Sequence, residues 1–197
     1  MSRPTALVIG VEHEKAKDVI SDVSWVTGHL AKHGWAVESY INCEGKAPEL
    51  GDFYHLLWFS GECEKIFTTP PDALLYGTAS VLSLLRWTNF AIFDCCNIGQ
   101  LVKPEPFEGG TPCLCASMGL NPNEREGYNL EGEGSVFTNA LQAMEKAWGD
   151  AIFKAKPPFL APHRFDFIRD YMWGWVRNNS FLSGPIDKPI EPMMGWI

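Results

Sequence analysis

Apolar runs bounded by polar turns recur along the chain with two alternating periods. Residues 6–12, ALVIGVE, are almost continuously apolar, the pattern of a strand buried on both faces. From Glu14 to His33, Ala16, Val19, Ile20, Val23, Val26 and Leu30 repeat at helical spacing, and Gly34 supplies a stop. WAVESYI (35–41) alternates as a second strand, and residues 42–52 read as a loop. FYHLLWFSG (53–61) is a third strand, ASVLSLLRW (79–87) a helix, and NFAIFDC (89–95) a fourth strand. The segment KPEPFEGG (103–110) reads as a loop, TPCLCASM (111–118) as a fifth strand, and SVFTNALQAMEKAW (135–148) as a helix behind EGEG. Further on, 165–178 looks helical, and KPIEPMMGWI (188–197) offers an edge strand with its prolines at the margins. Alternation of strands and helices predicts a parallel sheet with helices on both faces. No linker or repeat divides the chain, so one domain over 1–197 is expected, its pattern least regular over 150–197.

Composition narrows the function classes. The 197 residues are 46% hydrophobic with 8 tryptophans, which fits a folded globule and excludes disorder. A formal net charge of −8 and the lack of a dense Lys/Arg cluster argue against nucleic acid or an anionic membrane surface as partner. The start, MSRPTALVIGVEHEKAKD, lacks the apolar core and cleavage site of a signal peptide, and no apolar window is long enough for a span. A soluble cytoplasmic protein is the expectation.

The 6 cysteines are Cys43, Cys63, Cys95, Cys96, Cys113 and Cys115. Vicinal and alternating pairs are poor disulfide geometry, and a zinc site from Cys95, Cys96, Cys113 and Cys115 lacks the usual two-residue spacers. No metal and no cofactor are expected. Cys43, Cys113 and Cys115 are explained as small core hydrophobes. The acidic loop with Glu124, Glu126, Glu131 and Glu133 reads as solvated charge rather than as a calcium or basic-peptide site. A nucleotide-binding reading fails because GVEHEK after the first strand offers one glycine and acids that repel phosphate.

In a parallel sheet, ligands collect beyond the carboxyl ends of the strands. Three polar clusters lie there: Glu12 and His13 after the first strand, Ser60, Gly61, Glu62 and Cys63 after the third, and Asp94, Cys95, Cys96 and Asn97 after the fourth. The ordered set ALVIG, LLWFSG, FDCCNIG, CLCASM and EGEGSVFTNALQAM resembles the caspase-like peptidases, the metacaspase branch in particular, over residues 5 to about 145. The resemblance implies an α/β, caspase-like fold with a mostly parallel central sheet flanked by helices on both faces, the first and third strands being neighbours. It also implies that Cys96 stands at the nucleophile position, that Asp94 lines a pocket for a basic side chain, and that Gly99 is the turn glycine. At the family's catalytic histidine the chain carries Glu62; Cys63 replaces the following glycine, and Asn97 and Ile98 replace His and Ser after the nucleophile.

That replacement changes the chemistry. A cysteine peptidase needs an imidazole to hold the thiolate and then to protonate the leaving amine, whereas a carboxylate raises the pKa of a nearby thiol. The expectation is therefore a pseudopeptidase that binds a peptide or protein partner through Cys96, Glu62, Glu12, Ser60, Cys63, Asp94 and Asn97. The alternative is a Cys96-dependent enzyme, a peptidase or another thiol-based acyl or addition catalyst, with Glu62 or His13 as acid and base acting on a peptide or small molecule. His29, His33, His55 and His163 read as structural.

Overall fold

The computed structural model describes residues 3–12, 19–41, 53–61, 75–76, 79–95, 98–116, 129–130, 134–148, 170–171, 174 and 193–197. The apolar runs form the strands of one sheet: β1 (Thr5–Gly10), β2 (Ala36–Ile41), β3 (Leu56–Ser60), and, after two short strands β4 (Leu75–Tyr76) and β5 (Ala79–Ser80), β6 (Ala91–Asp94) and β7 (Pro112–Cys115). A hairpin follows, β8 (Asn129–Leu130) with β9 (Gly134–Ser135), and the chain ends in β10 (Met193–Trp196). The six-stranded sheet has the order β10-β7-β6-β3-β1-β2. Every pairing in it is parallel except β10 with β7, so the final PMMGWI segment does close an edge, running antiparallel. The expected neighbours, first and third strands, are paired in register from Ala6↔Leu56 to Gly10↔Ser60. This is the predicted α/β architecture with a mostly parallel sheet.

Each sheet face carries its own core because successive side chains of a strand point to opposite sides. On one face, Ala6, Val8, Leu56, Trp58, Ile92 and Leu114 pack against α1 (Val19–Lys32) and α2 (Val136–Trp148) through Val23, Val26, Leu30, Phe137, Leu141 and Met144. On the other, Leu7, Ile9, Leu57, Phe59, Phe93, Cys113 and Cys115 are covered by Leu84 and Leu85 of the 3-10 helix η1 (Val81–Trp87) and by Ile98 of η2 (Ile98–Leu101). Among the described residues the two faces are thus not equivalent, one bearing α1 and α2 and the other 3-10 segments.

The predicted helix over 79–87 is the main local departure. It starts as β5 and tightens into η1, which closes with an i→i+3 bond from Thr88 N–H to the Leu85 carbonyl at 2.9 Å. Thr88 Oγ1 donates to the Leu84 carbonyl at 2.9 Å, and Thr111 Oγ1 to that of Leu85 at 3.0 Å. Gly34 ends α1 as expected. At φ 92° it allows a Schellman closure, with Trp35 N–H donating to Leu30 and Gly34 N–H to Ala31, both at 3.1 Å. Leu30 and Trp35, buried together, complete it. Of the predicted helix over 165–178, only residues 170–171 and 174 are described, and they are helical.

Gly10 sits where β1 passes under α1. A Cβ there would lie 2.5 Å from Val23 Cγ2 and 2.7 Å from Val19 Cγ1. Gly10→Ala is expected to cost about 1–3 kcal/mol, because overpacking against two stiff β-branched side chains outweighs the chain-entropy gain of roughly 0.4–1 kcal/mol from removing a glycine. Urea unfolding of the two proteins checks it; an unchanged midpoint would show that α1 is free to shift.

Candidate functional site at the carboxyl edge of the sheet

Parallel pairing aligns the strand ends. Gly10, Ser60 and Asp94 stand abreast, and the register is carried one step further by Val11 N–H to the Ser60 carbonyl (3.0 Å) and Gly61 N–H to the Asp94 carbonyl (3.2 Å). The sheet therefore brings together three of the residues expected at the site: Glu12, exposed just past β1, and Ser60 and Asp94, both buried. Cys96, Glu62, His13, Cys63 and Asn97 lie outside the described residues, so the Glu62–Cys96 separation is not defined. Cys95, the neighbour of Cys96 in the chain, is buried in the core of the η1 face, with Ile98 in the same cluster. Cys113 and Cys115 are buried there too, as small hydrophobes. These three cysteines are not disulfide-bonded, and Cys115 Sγ lies 3.8 Å from Cys113 Sγ.

Asp94 occupies the face opposite Cys95, and its carboxylate meets the start of α2. Ser135 is the N-cap of that helix: its Oγ accepts from Thr138 N–H at 2.9 Å. The Ser135 hydroxyl donates to Asp94 Oδ2 in a short hydrogen bond, and Thr138 Oγ1 donates to the same oxygen at 2.8 Å. The Ser135 backbone N–H is shared by both oxygens of Asp22, at 3.0 and 3.1 Å. Asp22 is itself buried, on the inner side of α1. Two carboxylates from α1 and β6 thus converge on one serine at the amino end of α2, where the helix dipole favours negative charge.

Burial dominates the titration of Asp94. Desolvation raises its pKa to about 6 against the opposing pull of the Ser135 and Thr138 hydrogen bonds. Only 6% exposed, the carboxyl group faces the helix and not the solvent beyond the strand ends. A role lining a pocket for a basic side chain is not what this side-chain position offers.

Sequence reasoning missed Ser135, Thr138 and Asp22. The serine ahead of the apolar run VFTNALQAM is a readable N-cap. Asp22 carried a signal as well, since it falls three residues after Val19 on the stripe that faces the core. Nothing local tied either to Asp94.

The described histidines are at the other end of the sheet. His55 precedes β3, and its Nδ1 accepts the N–H of Thr5, the first residue of β1, at 3.1 Å. His29 and His33 lie at the end of α1, which leads into the start of β2. Among the described residues, no histidine stands at the carboxyl edge.

No protein-family model matches the chain, and no curated protein matches it. Among solved structures, protein GSU0716 from Geobacter sulfurreducens matches with a TM-score of 0.54 at 12% sequence identity, over 100% of this chain and 93% of that one. That likeness is one of fold and supports the α/β architecture. No described helix is long and apolar enough to cross a membrane.

The raised pKa of Asp94 has a consequence for stability. The folded state holds this proton more tightly than the unfolded chain does. The contribution of Asp94 is therefore full below about pH 4, is lost as pH rises through about 6, and is constant above that. Asp94→Asn keeps an acceptor for both hydroxyls but does not ionise. The stability of the native protein relative to this variant should fall by about 2–3 kcal/mol between pH 4 and 7. Denaturant unfolding of both across that range measures it; a flat difference would mean that Asp94 is hydrated.

Proposed function

We propose that the chain is a pseudoenzyme of caspase-like or metacaspase-like (peptidase C14 type) fold, a cysteine-protease homologue that binds a peptide or protein partner at the carboxyl edge of its sheet without cleaving it. The observation that carries this reading is the placement of the histidines. His29, His33 and His55 belong to the amino edge, while the position the family gives to its catalytic histidine holds Glu62. The strand order agrees with the resemblance, since the first strand neighbours the third and the third the fourth.

Electrostatics support the same conclusion. The edge that a peptidase would use to stabilise a thiolate is acidic, with Glu12 exposed past β1 and Glu62 following Gly61 in the chain. Negative charge in that setting favours the neutral thiol, and among the described residues no histidine stands there to protonate an amine leaving group. An acidic, hydrogen-bonding strand edge suits binding of a segment rich in basic or amide groups. Buried cysteines outside disulfides at Cys95, Cys113 and Cys115 fit the reducing environment of the cytoplasm.

The purified protein should not hydrolyse peptides containing Arg, Lys or Asp above the rate of a Cys96→Ala control, since the missing acid–base group is worth roughly 10²–10⁴-fold. Turnover that disappears in Cys96→Ala would overturn the reading and establish a thiol-dependent enzyme. Labelling of Cys96 by an electrophilic peptide at neutral pH, without turnover, would show partner binding at a competent but unassisted thiol.

A further inference from the structure

At the opposite edge of the molecule, three potential metal ligands converge on the α-helical face. His29 and His33 are four residues apart at the end of α1, so they stack on one side of it, with ring centroids 4.6 Å apart. Glu145, in the last turn of α2, reaches across to place Oε1 3.1 Å from His29 Nε2. One donor atom from each of the three lies within 4.8 Å of the others. We infer that His29, His33 and Glu145 form a binding site for a divalent transition-metal ion of the zinc type, bridging the carboxyl-terminal ends of α1 and α2.

The donor set selects the metal. Two imidazoles and one carboxylate suit Zn²⁺, Co²⁺, Ni²⁺ or Cu²⁺ and offer too few oxygens for Ca²⁺ or Mg²⁺. A tetrahedral zinc ion with bonds of about 2.0–2.1 Å holds its donor atoms about 3.3–3.4 Å apart. The His29–Glu145 pair, at 3.1 Å, is within a few tenths of an ångström of that spacing, and the third donor closes by side-chain rotation. All three side chains are half-buried, which limits competition from water without sealing the site.

Two further features prepare the site. Trp25, one turn before His29, stacks on its ring with centroids 4.8 Å apart and planes 15° off parallel, fixing the imidazole orientation. Both helices end here, and their dipoles present partial negative charge that attracts a cation. Lys32 and Lys146 are the cations on the same two helix ends; both are exposed, so water screens them.

The measurement is titration of the metal-stripped full chain with Co²⁺, followed by ligand-field absorption and competition with Zn²⁺. One equivalent should bind, with a nitrogen–oxygen spectrum, and Zn²⁺ should displace it and raise the thermal midpoint. His29→Gln, His33→Gln and Glu145→Gln should each weaken binding by roughly tenfold or more, while His55→Gln leaves it unchanged. Circular dichroism checks that each variant is folded, and the near-isosteric Glu145→Gln alone decides the matter if a histidine variant unfolds. Absence of binding would show that the cluster is only a His–Glu contact between helices. A thiolate charge-transfer band, or binding untouched by all three substitutions, would place the metal on the cysteines; either result overturns the inference.

Discussion

A carboxylate buried at the end of a parallel strand has to be hydrogen-bonded, and the way Asp94 meets that demand fixes the position of α2. Its acceptor oxygen takes both hydroxyls of the first turn, Ser135 and Thr138, while Asp22 of α1 takes the Ser135 backbone N–H. One serine therefore joins the central strand β6 to both α-helices. The apolar contacts of Phe137, Leu141 and Met144 with the sheet give the helix its affinity for that face, but they are non-directional. The polar junction supplies the register. Removing one partner would leave a buried acceptor or donor unmatched, at a cost of about 1–3 kcal/mol.

The same junction bears on the chemistry. A strand-end aspartate engaged by a helix is withdrawn from any ligand, so the residues left to meet a partner are those beyond the strand ends. Glu12 is among them, and Glu62 follows Gly61 in the chain. An acidic edge is poor ground for a thiolate and good ground for holding a basic or amide-rich segment. In the proposed reading, that charge opposes thiol catalysis at the strand ends.

Much of the fold was legible because buried parallel strands announce themselves. ALVIG, LLWFS, AIFD and PCLC are apolar on both faces and became β1, β3, β6 and β7. Gly34 marked the end of α1, and the prolines ahead of MMGW marked an edge strand. The segment 79–87 misled because apolar spacing does not distinguish a 3-10 turn from an α-helix over so short a stretch. The junction was not legible, since Ser135 meets Asp22 across 113 positions and Asp94 across 41. His29 and His33 read as ordinary helix residues because Glu145, on another helix, gives them their meaning.

The central claim is that Glu62 stands where the scaffold is built for an imidazole. It is tested most directly by the pH dependence of Cys96 alkylation in the native protein and in the Glu62→His, Cys63→Gly double variant. Replacing a carboxylate by a group that can carry positive charge removes a like-charge penalty on the thiolate and supplies its ion-pair partner. The account predicts a lower alkylation midpoint in the double variant. An unchanged or higher midpoint would mean that residues 62 and 96 are not neighbours and would contradict it.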